Sequence, residues 1–291
     1  MPELPEVEIA ARNLRSWAEG RRIERAEADP RGRRLFRPGT GRAFAAALSG
    51  ARLSRVERRG KQLLVTLATP AGPLGLLSHL GMTGKWVRRE PGADPPSHSR
   101  ARLHLDDGAV LHYRDPRLFG RLRLVPGARF ETVPEVAALG PDPLQDGVDP
   151  GRLAVALART RRPVKVAMLD QRLLPGVGNI QASEALFRAR IDPRRRASAL
   201  SRPEVRRLAA AVVASVREAI SREEGPEITY VEESGAENPF RVYGRAGEPC
   251  PRCRRAAIRR IVQAQRSTFF CPRCQGARSL DSAPKVRSSR A

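Results

Sequence analysis

Three features of the chain predict an α+β fold, with an N-terminal β-sandwich or barrel behind a leading helix, then a helical block, then a C-terminal basic hairpin. Apolar residues recur at helical spacing at the start, shorten to strand-like runs between about 51 and 125, and return to helical spacing from about 153. Charge changes sign near residue 241: residues 221–240 hold six Glu against one Arg, and 241–291 hold thirteen Lys/Arg against two acids. All four cysteines lie beyond that point, as Cys250-x2-Cys253 and Cys271-x2-Cys274.

The leading helix is expected from about Pro5, because proline suits a first turn whose N–H groups lack partners anyway. Glu6 and Glu8 complement the positive helix end, Val7, Ala11, Leu14 and Trp17 form one apolar stripe, and Gly20 closes it. Runs at 63–67, 74–77, 101–105, 109–113 and 122–125 read as strands, with Asp106-Asp107-Gly108 as a hairpin turn. Short strands between frequent Gly/Pro turns suggest a sandwich or barrel. Residues 126–150, rich in Pro, Gly and Asp, read as a linker. Helices follow at 153–160, 164–174, 179–190 and 203–221, the last behind the capping box Ser201-x-x-Glu204. Leu173 to Asn179 is a sharp turn feeding a helix, and the polar end from Arg278 is expected to be disordered.

Composition narrows the function. The net charge of +23 implies a polyanionic partner, nucleic acid before membrane lipid. Apolar content of 41% excludes a disordered basic tail, and 4% aromatics leave little for stacking single strands. The acidic start has no apolar leader, and the one long uncharged stretch, 62–84, is broken by Pro and Gly, so a soluble intracellular protein is expected.

The two cysteine pairs, seventeen residues apart, suit a closed tetrahedral site for one structural zinc ion. Such a metal contributes roughly 10–16 kcal/mol of apparent folding energy to a piece too short for its own core. Five arginines between the pairs make this a basic hairpin suited to phosphates. Only four lysines (Lys61, Lys85, Lys165, Lys285) stand against fifty arginines, so amine chemistry reduces to these and the α-amine. Methionine before proline is usually removed, which would expose Pro2 as a secondary amine with a pKa near the α-amine range of about 7.7–8.0. Read without relatives, a Pro- and Glu-rich start is more often just a helix start.

The opening Met1-Pro2-Glu3-Leu4-Pro5-Glu6-Val7-Glu8 resembles that of the bacterial formamidopyrimidine-DNA glycosylases. The segments Arg59-Gly60-Lys61, His79 to Gly84, Asp115 to Gly120, Gly176 to Ile180, Val242 to Arg245 and Gln265 to Phe269 agree in order, so the resemblance covers residues 1–276. It implies a catalytic sandwich (1–130), a helix–two-turn–helix domain with a lesion loop (131–240), a zinc finger (241–276) and a basic tail (277–291). It implies a bifunctional DNA glycosylase and abasic-site lyase, monomeric and cytoplasmic, acting on oxidised purines in duplex DNA.

By resemblance, Pro2 is the nucleophile at the sugar C1′, Glu3 a proton donor and Glu6 a supporting carboxylate. Lys61 serves β-elimination and Arg266 the second elimination. His98, Arg117 and Arg161 match DNA-contacting positions, Arg161 standing where lysine is usual. Asn179 would hold phosphate with backbone amides. Met82, Arg117 and Phe119 match the wedge that fills the gap left by a flipped nucleotide. One departure is the loop before Val242, shorter and more acidic than in the family's oxidised-purine enzymes. An oxidised-pyrimidine glycosylase, or a lesion-binding protein without catalysis, are the alternatives; the retained Pro2, Glu3 and Lys61 argue against the second.

Overall fold

The computed structural model describes residues 2–225, 227–231, 233, 235 and 237–276. The expected tail, 277–291, lies outside them. Helix α1 (Leu4–Ala18) starts one residue earlier than expected because Glu3 caps it. The Glu3 side chain takes the Glu6 N–H while Glu6 Oε2 accepts the Glu3 N–H at 2.7 Å, a reciprocal capping box. Strand β1 (Ile23–Ala28) and helix α2 (Gly41–Leu48) follow. Then come β2 (Arg52–Arg59), β3 (Gln62–Thr69), β4 (Gly72–His79), β5 (Lys85–Arg89), β6 (Ser99–Leu105), β7 (Val110–Arg114) and β8 (Arg121–Pro126).

These strands form two four-stranded antiparallel sheets, ordered β1-β6-β7-β5 and β2-β3-β4-β8, which makes the expected sandwich. The sequence reading did not single out β1, β2 or β5, and their composition explains why. In β2, Arg-Leu-Ser-Arg-Val-Glu-Arg-Arg, only Leu53, Val56 and Arg58 turn inward, so charge masks a two-residue alternation. The Asp106-Asp107-Gly108 turn closes β6 onto β7, with Leu103 opposite Leu111 and Ala101 opposite Tyr113.

Residues 126–150 are not a loose linker. Phe130, Val133 and Val136, around the short helix α3 (Pro134–Ala137), cover Leu64, Leu77 and Val125 on one face of the second sheet. Each such side chain contributes roughly 1.5–3 kcal/mol when fully buried. Farther on, Asp142 is buried against Arg58, whose Nη1 and Nη2 donate to its two oxygens at 2.6 and 2.9 Å. Arg58 Nε donates to Glu8 Oε2 at 2.7 Å and Nη1 to the Gly60 carbonyl, while the Gly60 N–H donates to Asp142. Burial pushes the Asp142 pKa up, but Arg58 outweighs it and the carboxyl ends below its usual range.

Helices α4 (Pro150–Ala158), α5 (Val164–Met168), α6 (Asn179–Ala189) and α7 (Arg202–Glu223) build the second unit. Helix α5 is shorter than the expected 164–174, because the Asp170 carboxylate takes the Arg172 N–H and turns the chain. The capping box at Ser201 forms as expected. Helix α7 serves two cores: Leu208 and Val212 pack among the helices, whereas Val216 and Ile220 join the sandwich core. Strands β9 (Arg259–Gln263) and β10 (Arg266–Phe270) and helix α8 (Pro272–Gln275) make the C-terminal hairpin. No described helix is long and apolar enough to cross a membrane.

The buried Glu8–Arg58–Asp142 cluster makes a prediction about stability. Arg58→Ala strands two buried carboxylates and should cost about 3–5 kcal/mol in urea unfolding, well above an exposed Arg25→Ala control. Equal losses in the two variants would mean that the cluster does not anchor this segment.

Candidate functional site

The start of α6 is where the three parts of the chain meet. A helix leaves its first N–H groups without internal partners. Here the Glu3 carboxylate supplies them: Oε1 accepts from Ile180 at 2.8 Å, and Oε2 from Gly178 at 2.9 Å and Gln181 at 3.0 Å. The Leu4 N–H donates to the Gly176 carbonyl at 3.0 Å, so α1 and α6 butt end to end. A Cβ at position 178 would overlap both the Glu3 carboxylate and the Lys61 ammonium, which brings Lys61, at the β2–β3 turn, to the same point. Pro2, Glu3, Glu6, Lys61 and Asn179 are thereby gathered, with Pro2 and Glu3 buried.

Lys165 extends this cluster. The sequence reading left it without a role, although its rarity among fifty arginines was a usable signal. Buried in α5, its Nζ donates to Asn179 Oδ1 at 2.6 Å, Thr268 Oγ1 at 2.7 Å and the Ser267 carbonyl at 3.0 Å. Burial pulls its pKa down to about 8, the Glu3 carboxylate opposing the fall and the Arg266 charge adding to it. Asn179 Nδ2 also donates to the Ser267 carbonyl, so both ends of the Asn179 amide have partners within the protein. Arg266 itself is exposed at the start of β10, beside a two-residue turn in which Ala264 and Gln265 both have positive φ.

Next to Glu3, Glu6 is buried and lies against Glu223 at the end of α7, to which it is hydrogen-bonded. Burial, then the Glu223 and Glu3 charges, raise the Glu6 pKa to about 8. Both residues line a cavity of about 330 Å³ between α6 and the acidic segment after α7. That segment is tied to the sandwich. Tyr230 Oη donates to the Gly84 carbonyl at 2.6 Å, and Lys85 Nζ donates to the Ile228 carbonyl at 3.0 Å and pairs with Glu227 and Glu233.

Met82, Arg117 and Phe119 come together on a separate rim. Asp115 is fully buried, its Oδ1 accepting from Thr83 Oγ1 and its Oδ2 from the Gly120 N–H, which bulges residues 116–119 outward. Phe119 is 56% exposed, with the Arg117 guanidinium 5.1 Å from its ring centre. A Cβ on Gly81 would strike the Phe119 backbone, so the loop bearing half-buried Met82 packs directly beside it. His98, exposed with φ 59°, lies in the loop before β6, and Arg161 is exposed in the turn between α4 and α5. Neither joins the Glu3 cluster.

In the hairpin, the Sγ atoms of Cys250 and Cys274 are 3.8 Å apart, as are those of Cys253 and Cys271, and all four lie within 4.8 Å of one another. Tetrahedral thiolates on zinc at about 2.3 Å require the same spacing, about 3.8 Å. The thiols therefore fit one zinc ion. Four sulfur ligands leave no position for substrate, which makes the site structural. The Glu184 carboxylate accepts the Arg241, Val242 and Tyr243 N–H groups and joins the hairpin's lead-in to α6.

Comparison with known proteins agrees with this geometry. The formamidopyrimidine-DNA glycosylase N-terminal domain matches residues 1–122, the formamidopyrimidine-DNA glycosylase H2TH domain 139–230, and a zinc finger found in FPG and IleRS 247–276. Formamidopyrimidine-DNA glycosylases of Acidiphilium cryptum and Paracoccus denitrificans are 41% and 43% identical, each match covering 94% of this chain and 100% of the relative. The crystal structure of the MutM (Fpg) protein from Thermus thermophilus gives a TM-score of 0.78 at 39% identity, over 94% of this chain and 99% of that one. Lactococcus lactis Fpg (MutM) in complex with DNA containing N7-benzyl-Fapy-dG gives 0.82 at 29% identity, over 94% and 100%. Fold and site thus define a zinc-finger DNA glycosylase of base excision repair. The chain belongs to the formamidopyrimidine-DNA glycosylase family.

Two expectations follow from this geometry. Between pH 4.5 and about 8 the folded protein holds a Glu6 proton that the unfolded chain has released, so stability falls as pH rises through that window. Glu6→Gln should flatten the fall, by about 1 kcal/mol or more between pH 5.5 and 8.5 in urea unfolding; an unchanged slope would place the titration elsewhere. Cys274→Ser should release zinc, weaken duplex DNA binding and reduce the slope of log affinity against log salt. A zinc-free variant with unaltered affinity and slope would separate the finger from DNA binding.

Proposed function

We propose that the chain excises oxidised purines, formamidopyrimidine and 8-oxoguanine, from duplex DNA and then cleaves the strand at the abasic site. The observation that carries this is the meeting of Glu3, Lys61 and buried Pro2 at the capped start of α6, beside a cavity large enough for a base. In this reading the Pro2 secondary amine attacks C1′ of an extruded nucleotide, the base leaves with a proton, and an iminium joins Pro2 to the opened sugar. Glu3, held by three backbone N–H groups, is positioned to move protons at the sugar. Loss of a C2′ proton with departure of the 3′ phosphate is β-elimination, which we assign to Lys61. Departure of the 5′ phosphate is the second elimination, which we assign to Arg266.

Phe119 with Arg117 and Met82 would fill the vacated stack, because an apolar wedge offsets lost stacking and arginine can bond an orphaned base. His98, Arg161 and Asn179 would contact the backbone, Asn179 after its present partners yield. We place the domains at 1–130, 131–240 and 241–276, and the protein in the cytoplasm as a monomer on DNA.

Borohydride trapping on formamidopyrimidine duplex tests the central step. The processed protein should give a covalent adduct through Pro2, and a chain retaining Met1, whose Pro2 nitrogen is an amide, should lose it by about tenfold or more. Full adduct from the blocked chain would assign the nucleophile to a lysine instead, Lys61 first.

A further inference from the structure

The cavity beside Glu3 has an unusual chemistry for a protein of net charge +23. Apart from the hydroxyls of Thr229 and Tyr230, its polar lining is mostly carboxyl: Glu6, Glu223, Glu224, Glu227 and Glu237, with Arg222 the one cation among the described lining residues. Arg222 is turned to its own neighbours, 3.4 Å from Glu223 and over the Phe240 ring. Phosphate is repelled from such a space, and a base edge that brings N–H donors suits it.

Glu6 cannot readily serve as the receiving group. Its Oε2 holds the Glu3 N–H, and its remaining hydrogen-bonding capacity is directed to Glu223. Two carboxyls in contact do not both ionise, so the pair shares one proton. Glu223 also lines the cavity; its Oε1 takes the long 3.4 Å bond from Arg222 and it meets Glu6, but an ionised carboxylate has about four acceptor sites, so capacity remains. Its position is held firmly, because α7 is packed into the sandwich core through Val216 and Ile220. The opposite wall is held by the Tyr230 and Lys85 bonds, so the cavity is formed without DNA.

A carboxylate is an acceptor-only group with two oxygens side by side. Its complement is a pair of adjacent N–H donors, which is the edge that guanine keeps after ring opening, with one ring N–H beside an amino group. Ring-opened adenine presents its amino group beside a ring nitrogen that would face a carboxylate lone pair. Oxidised thymine offers one N–H between two carbonyls. Resting on the reading above, we propose that Glu223 is a specificity-determining residue of the base pocket, whose carboxylate accepts the paired N–H donors of an extruded guanine-derived base and so favours it over adenine- and thymine-derived lesions.

The formamidopyrimidines of guanine and adenine isolate this effect, because they share the opened ring and the bond to be cut and differ in that edge. Single-turnover excision of the two, in one duplex sequence, should favour the guanine form by about tenfold or more in the wild-type chain. Glu223→Gln, which keeps the shape but turns one acceptor into a donor, should bring that ratio close to one, mainly by slowing the guanine substrate. Glu223→Asp, which keeps the charge but withdraws it, should give an intermediate ratio and serves if the glutamine variant does not fold. Equal excision of both substrates by the wild type, or a ratio unmoved in either folded variant, would overturn the proposal. A wild-type chain that excises neither and forms no borohydride adduct with abasic duplex would instead overturn the glycosylase–lyase reading itself.

Discussion

The meeting of the three parts of the chain at the site depends on one requirement, partners for the N–H groups at the start of α6. A local serine or aspartate cap would satisfy them within the helical unit. Instead the Glu3 carboxylate, about 175 positions earlier in the chain, accepts from Gly178, Ile180 and Gln181. The positive end of α6 and the negative side chain at the start of α1 attract one another directly. A cap worth about 1 kcal/mol within one helix becomes, across two units, the joint that sets where Pro2 and Lys61 lie.

The same helix binds the third unit by different chemistry. Asn179 at its start, joined by Lys165 from α5, reaches the β10 backbone, and Glu184 midway along it gathers three N–H groups of the hairpin's lead-in. The finger's orientation therefore rests on these contacts as much as on its metal. Zinc shapes the hairpin, and α6 aims it, which is how Arg266 comes to stand on the same side as the Glu3 cluster.

Charge is sorted rather than spread. Among the described residues most arginines are solvated or paired on the surface, where a duplex would neutralise them. One group of glutamates, Glu223, Glu224, Glu227 and Glu233 among them, gathers around the cavity and its wall, where a phosphate would be repelled. In the proposed reading, that sorting separates a surface that attracts the backbone from a pocket that admits a base.

Much of this was legible in the chain itself. The cysteine spacing determined the metal site, because tetrahedral thiolates need two tight knuckles. The apolar spacing determined a strand-rich first unit and the long helices, and the ordered motifs determined the family and with it the sandwich. What the sequence could not disclose depends on side chains meeting across long separations. Charged strands such as β2 look like loops until an inward Arg58 finds Glu8 and Asp142. The apparent linker proved to be core, since Phe130 has a sheet to cover only once that sheet exists. Glu3 reads as a helix-start residue, and Lys165 as an ordinary lysine, until folding lays α6 between them. Local propensity and spacing are written along the chain; burial, and the partners that burial enforces, belong to the tertiary structure alone.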